Sequence, residues 1–330
     1  MIQASAPAKV IVSGDHSAVY GAPALVAAVS PRARVRLAKV DSPVVRLHAD
    51  GETTELTVAE TLELQEELDE LHDAFMEGEI RVDEIMESGR ELFFYTMAQW
   101  LQPDARSGVE LWLESDIPVS SGLGSSAATI AAACKAAGEF FGEPFEDNDA
   151  LIALVKFIER LQHGRGSAMD ASAVVTGGVI RLIDGKVMPS APLDADWWVV
   201  FTGKAACSTG ECVARVRERF ATSPVWQDFA EVTRSMTAAL AEQNEAYLQA
   251  AIRENHRLLV KIGVVPKLID GFIAEIEALG GAAKVCGAGS IRGDNAGVVL
   301  VRGVNPTELA ARHGFKCTTI TGEHDGVRLE

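Results

Sequence analysis

The alternation of polar and apolar positions is sharpest near the N-terminus. In RARVRLAKV (32–40), Val35 and Leu37 stand between Arg34, Arg36 and Lys39, the two-residue period of a half-buried strand. The preceding PALVAAVS (23–30) is apolar without a period and reads as buried chain. AKVIVSG (8–14) predicts a short strand ending in a loop, and PVVRLHA (43–49) a further hairpin strand. GVELWLESDIP (108–118) alternates again. Residues 58–87 are helical in spacing and so acidic that a solvated face is expected. DNDALIALVKFIERLQHG (147–164) predicts another helix, with Asp147 or Asn148 as its cap. GGVIRLID and DWWVVFTG read as strands. Three helices follow, at about 223–245, 246–261 and 265–279, and then AAKVCGAGS, NAGVVLVRG and GFKCTTITG as strand-like pieces around glycine loops. Composition shifts at DGKVMPSAPLDAD (184–196), which predicts two domains, 1–190 and 191–330.

Composition narrows the function. The 330 residues are 48% hydrophobic and 23% charged, enough for a sizeable core in a soluble globular protein. A net charge of −17 argues against nucleic acid and against an anionic membrane surface as partners. An anionic substrate would need local positive charge or a metal. The five cysteines form no CxxC pair and no zinc-type spacing, so reduced thiols in a cytoplasmic protein are expected. The N-terminal stretch lacks the apolar core of a secretory signal, and no apolar run approaches the ~20 residues that span a bilayer.

Three glycine-rich stretches carry candidate chemistry. In VSSGLGSSAATIAAACK (119–135), Gly122 and Gly124 let backbone N–H groups converge, and a helix follows whose N-terminal end is positive. Such a loop cradles phosphate, and the Ser125 and Ser126 hydroxyls add metal or phosphate ligands. A glycine turn before a buried Ala-rich helix would look the same. It is not a Walker A motif, since no GK[ST] follows. The second stretch is HGRGSAMDAS (163–172), entered from the helix that carries Glu159. Of Glu159 and Asp170, one carboxylate could bind Mg²⁺ and the other accept a proton. Separately, the first is commonly surface charge and the second a turn residue. The third stretch, KVCGAGSIRGDNAGVV (284–299), is either a glycine-rich hairpin or a close backbone approach to a ligand, with Arg292 and Asp294 at its tip.

The three stretches occur in the order and approximate spacing of the GHMP kinases. APAKVIVSGDHSAVYGAPAL (6–25) resembles the mevalonate kinase branch of that family, whose pattern is APGKVILFGEHAVVYGxPAL. The resemblance spans almost the whole chain. It implies an α+β fold of two domains: an N-terminal α/β domain with a left-handed βαβ unit and a C-terminal ferredoxin-like domain. It implies ATP-dependent phosphorylation of (R)-mevalonate to 5-phosphomevalonate, with ATP and Mg²⁺ as cofactors, and homodimers are common among such kinases. By the same resemblance, Ser120, Ser121, Gly122, Leu123, Gly124, Ser125 and Ser126 form the triphosphate loop. Ser126 and Glu159 match the metal positions, Asp170 the catalytic aspartate and Lys9 the lysine beside it. Asp15, His16, Tyr20, Ser167, Thr209, Gly287, Ala288 and Gly289 match substrate-side positions.

The chain departs from the pattern at five places. Asp15 replaces glutamate, Gly166 replaces proline, Ala168 replaces glycine and Cys207 replaces an arginine that often precedes Ser-Thr. GAGSIRGDNAG replaces a compact GAGGGG, which makes Arg292 a candidate for the cation missing at Cys207. Since mevalonate is an anion, the resemblance also implies that Lys9 and His16 help offset the overall negative charge. Two other readings stay open: a GHMP kinase for another small hydroxy acid or a sugar, and a non-catalytic ligand sensor.

Overall fold

A computed structural model describes residues 1–118, 122–164, 166, 168–193 and 196–330. In chain order, the first part contains β1 (Ile2–Ser13), β2 (Ala24–Val40), β3 (Val44–Ala49), β4 (Glu52–Thr57), α1 (Val58–Glu77), α2 (Glu91–Ala98), β5 (Gly108–Ser115), α3 (Ser125–Phe141), α4 (Asn148–His163), α5 (Ala168–Thr176), β6 (Val179–Ile183) and β7 (Lys186–Pro189). The second contains β8 (Trp197–Phe201), α6 (Thr209–Phe220), α7 (Val225–Ala241), α8 (Glu245–Ile262), α9 (Lys267–Ala278), β9 (Ala282–Cys286), β10 (Val298–Arg302), α10 (Thr307–Arg312), β11 (Lys316–Ile320) and β12 (Arg328–Leu329).

The first sheet runs β12-β1-β2-β5-β3-β4, with β6 on β2 and β7 on β6. Its pairs are antiparallel except β3 with β5, which the long connection through α1 and α2 makes parallel. The second sheet runs β11-β8-β10-β9, all antiparallel. Numbered within their own unit, these strands have the order 4-1-3-2 with helices between the first and second and between the third and fourth, the ferredoxin-like arrangement. The α+β expectation therefore holds. The last strand, β12, returns to pair with β1 of the first sheet.

Local sequence explains several boundaries. Thr57 and Glu60 form a capping box at the start of α1, and Asp147 caps α4 by accepting from the Ala150 N–H. The segment 23–40, expected as buried chain followed by a strand, is one long strand. It passes Pro31 because the β1–β2 register shifts between Pro7 and Ala8, opposite that proline, so the missing N–H falls at a bulge. The acidic segment is a helix only to Glu77; Val82–Glu84 is a separate short turn of 3-10 helix. Helix α3 packs on β1 and β2 on one side and α4 on another. Its alanines and Cys134 are buried, which accounts for its near absence of charge.

Candidate active site

The site is built where β1, α3, α4 and α5 meet. Gly124 is the residue before α3 and has left-handed backbone, φ 71°. A Cβ there would stand 2.7 Å from Lys9 Cγ and 2.8 Å from Lys9 Cε. Glycine at 124 thus lets the Lys9 side chain pass beneath the loop, and the Lys9 N–H donates to the Leu123 carbonyl (2.8 Å), fixing β1 to the loop. Helix α3 starts with no side-chain cap and no acidic residue in its first turn, leaving its first N–H groups available to an anion. Ser125 and Ser126 open that turn. Ser120 and Ser121 lie outside the described residues, as does Ser167.

Beneath the loop, Lys9 Nζ stands 3.0 Å from Asp170 Oδ1. The two come from β1 and the first turn of α5, and the lysine is only 4% exposed. Glu159 on α4 is buried, and its Oε2 has no hydrogen-bond partner among the described residues. Burial pushes its carboxyl up to about 8, the Asp170 charge adds to the rise, and Lys9 and Ser126 oppose it. The Ser126 hydroxyl donates to Gln162 (2.7 Å), one turn along α4 from Glu159. Lys9, Ser126, Glu159 and Asp170, far apart in sequence, are thus brought together.

The corner that holds the substrate-side candidates is more constrained than the sequence indicates. Asp15 engages Lys284 rather than Lys9: its Oδ2 is 2.6 Å from Lys284 Nζ, and its Oδ1 accepts from the Gly287 N–H at 2.6 Å. His16 has φ 56° and its Nε2 is 2.9 Å from the Ala288 carbonyl oxygen. Burial holds its pKa below the ordinary 6.5, against the raising effects of Ala288 and Asp15. Burial thus disfavours the positive charge expected of His16. Gly287 and Gly289 both have positive φ and carry the third glycine loop past this corner, where a Cβ on Gly122 would be 3.9 Å from the Cys286 carbonyl. The Tyr20 ring stacks on Trp226 of α7 at 4.0 Å, and its buried hydroxyl has no partner among the described residues. Thr209 is exposed at the first position of α6. Arg292 is tied to Glu211 (2.7 Å) and to the Ala206 carbonyl, so the cation expected to replace the missing arginine is already paired.

Two features were not singled out from sequence. Lys284 is one, a lysine inside an apolar strand whose partner lies 269 residues away. The other is the apolar side of α1: His72 Nε2 stands 3.1 Å from the Gly164 carbonyl, and a Cβ on Gly164 would meet the Phe75 ring. The acidic helix therefore braces the bend that leads to Asp170.

A family model described as the GHMP kinases N-terminal domain matches residues 92–178. A curated relative from Archaeoglobus fulgidus named mevalonate kinase is 30% identical over 332 residues, covering 99% of each chain. The Pyrococcus horikoshii protein of the same name is 29% identical over 304 residues, covering 87% of this chain and 86% of its own. Among solved structures, the Methanococcus jannaschii mevalonate kinase superposes with a TM-score of 0.78 at 20% identity, over 97% of this chain and 98% of its own. The L. major mevalonate kinase in complex with R-mevalonate gives 0.70 at 18% identity, over 98% and 96%.

Proposed function

This chain belongs to the GHMP kinases, and we propose that within that family it transfers the γ-phosphoryl group of ATP to the 5-hydroxyl of (R)-mevalonate, giving ADP and 5-phosphomevalonate. ATP use follows from the family. The mevalonate assignment is supported by the near-complete overlap with relatives of that name. The observation that carries the chemistry is the Lys9–Asp170 pair, 3.0 Å apart, set against the uncapped start of α3.

Phosphoryl transfer depends mainly on positioning and on neutralising charge. The N–H groups of Ser125 and Ser126, at the uncapped start of α3, and the helix dipole receive phosphate oxygens, and Gly124 lets them approach without a side chain in the way. Asp170 accepts the proton of the attacking hydroxyl, and Lys9, held in a fixed direction by that carboxylate, offers its ammonium to the transferring group. The buried, unpartnered Glu159 oxygen fits a cation ligand, and Ser126 adds a hydroxyl close by. These two residues would hold Mg²⁺, which when bound neutralises phosphate charge. On the other side, His16, Tyr20 and the Gly287–Gly289 loop form the acceptor wall.

One observation favours a different acceptor. Pairing of Arg292 with Glu211 and of Lys284 with Asp15 takes two cations from the acceptor side, which suits a neutral sugar better than a carboxylate. Coupled ADP release with Mg-ATP and mevalonate, 5-phosphomevalonate, homoserine or galactose separates the readings. Turnover with mevalonate alone supports the proposal; turnover with galactose or homoserine alone moves the acceptor and keeps the catalytic set.

A further inference from the structure

Helix α6 begins with a capping box. The Ser208 hydroxyl accepts from the Glu211 N–H, and the Glu211 carboxylate accepts from the Ser208 N–H. The residue before such a cap and the fourth residue of the helix are the two positions that ordinarily meet as an apolar staple. Here they are Cys207 and Cys212. Their sulfur atoms are 3.0 Å apart. The juxtaposition is dictated by local helix geometry, so it survives any rearrangement that keeps the start of α6.

The two thiols are unequal. Cys207 is partly exposed at the N-terminal end of a helix, while Cys212 is buried. Cys207 Sγ receives the Ile291 N–H (3.4 Å), contacts the Ser290 hydroxyl (3.1 Å) and lies against Cys212, and these bonds outweigh burial to hold its pKa below the ordinary thiol value. Burial raises Cys212 to about 12. One thiol is thus suited to attack and the other to follow. Both also touch the third glycine loop, since Cys212 Sγ reaches the Gly289 carbonyl at 3.8 Å.

We propose that Cys207 and Cys212 are an oxidisable dithiol that low-molecular-weight disulfides convert to an intramolecular disulfide, loosening the Gly287–Gly289 loop and slowing the enzyme. The Cys207 thiolate attacks one sulfur of the disulfide RSSR, forming a Cys207–SR bond and releasing RS⁻, which takes a proton. Cys212 gives up its proton, attacks Cys207 Sγ and expels a second RS⁻. The protein is oxidised by two electrons and loses two hydrogens, and RSSR is reduced to two RSH. Closing the bond requires the sulfurs to approach by roughly 1 Å. That draws Cys207 away from Ser290 and Ile291, whose loop holds His16 through Ala288.

The test is intact mass and peptide mapping of the full-length protein titrated with oxidised glutathione, beside Cys207→Ser and Cys212→Ser. The wild type should lose two hydrogens and yield a 207–212 link that dithiothreitol reverses. Cys212→Ser should stop as a glutathione adduct on Cys207, and Cys207→Ser should not react at Cys212. ADP release should fall about tenfold as the link forms and return on reduction. A wild type that accumulates the adduct without closing, that stays unmodified, or that links other cysteines overturns the dithiol. A link that leaves turnover unchanged overturns the coupling to the loop. Because mass reports the bond, a mistaken acceptor cannot imitate failure of the dithiol, and ADP release is read with whichever acceptor the reduced wild type turns over, which keeps failure of the coupling distinct as well.

Discussion

Lys284 on β9 and Asp15, just beyond β1, form an ion pair of 2.6 Å in which neither side chain is exposed. It joins the two sheets beside the loop that begins at Gly287. Lys284 also donates to the Ile11 carbonyl, and Asp15 holds the Gly287 N–H. Burial alone would lower the lysine pKa, but the Asp15 charge and hydrogen bonds raise it above its ordinary value. A raised lysine pKa stabilises the fold at every pH below the unfolded value, ~10.4. That contribution is lost only as pH climbs through the higher folded value.

Removing one partner strands the other charge. Lys284→Met is expected to cost about 3–5 kcal/mol. Asp15→Asn combined with Lys284→Met should recover part of that loss, because no buried charge is left unpaired and the amide oxygen can still accept from the Gly287 N–H. Denaturant unfolding of the single and double variants measures the coupling, and additive losses would refute it.

Gly124 provides a sharper test of the site. Alanine there combines φ 71° with a Cβ 2.7 Å from Lys9 Cγ. The lysine must move, and the contact with Asp170 goes with it. Turnover should fall about 100-fold for a stability cost of about 1–3 kcal/mol. Steady-state kinetics beside a thermal melt separate the two effects.

His16 sets an acid dependence. Its folded pKa lies below 6.5, so as pH falls through the unfolded value the unfolded chain gains a proton that the folded one refuses. Stability should therefore decline as pH drops below about 6.5. His16→Gln should flatten that decline in melts taken across acidic pH.

Glu159 tests the metal assignment. Glu159→Gln keeps the shape and removes the carboxylate that a bound cation would draw out of its protonated form, so the increase in ATP affinity produced by Mg²⁺ should shrink about 10- to 100-fold. Isothermal titration of ATP with and without Mg²⁺ reads this directly. An unchanged Mg²⁺ effect would remove Glu159 from the metal site.

Much of this was legible because it is local. Asp147 capping α4, the alternation of β5 and the glycine-framed start of α3 each follow from a few adjacent residues. That Lys9, Glu159 and Asp170 would come together was legible only through the resemblance of their flanking motifs, since no spacing rule brings Lys9 to Asp170. Lys284 was not singled out because its partner lies 269 residues away, beside the other sheet. Helix α2, ELFFYTMA, was missed because it is buried nearly all round and has no polar face to set a period. Strand β2 read as two pieces because Pro31 normally ends a strand, and only the register shift on β1 lets the strand pass it. The two-residue β12 is too short to announce itself and is set by its pairing with β1.

The most direct measurement of the central claim is kcat for Asp170→Asn and the wild type, with saturating Mg-ATP and (R)-mevalonate and with folding checked by thermal melts. If Asp170 takes the proton of the 5-hydroxyl, the wild type turns over and the variant, equally folded, is slower by about 10²–10⁴-fold. A folded variant within about threefold of the wild type would contradict a catalytic Asp170, since that is far less than positioned proton transfer contributes.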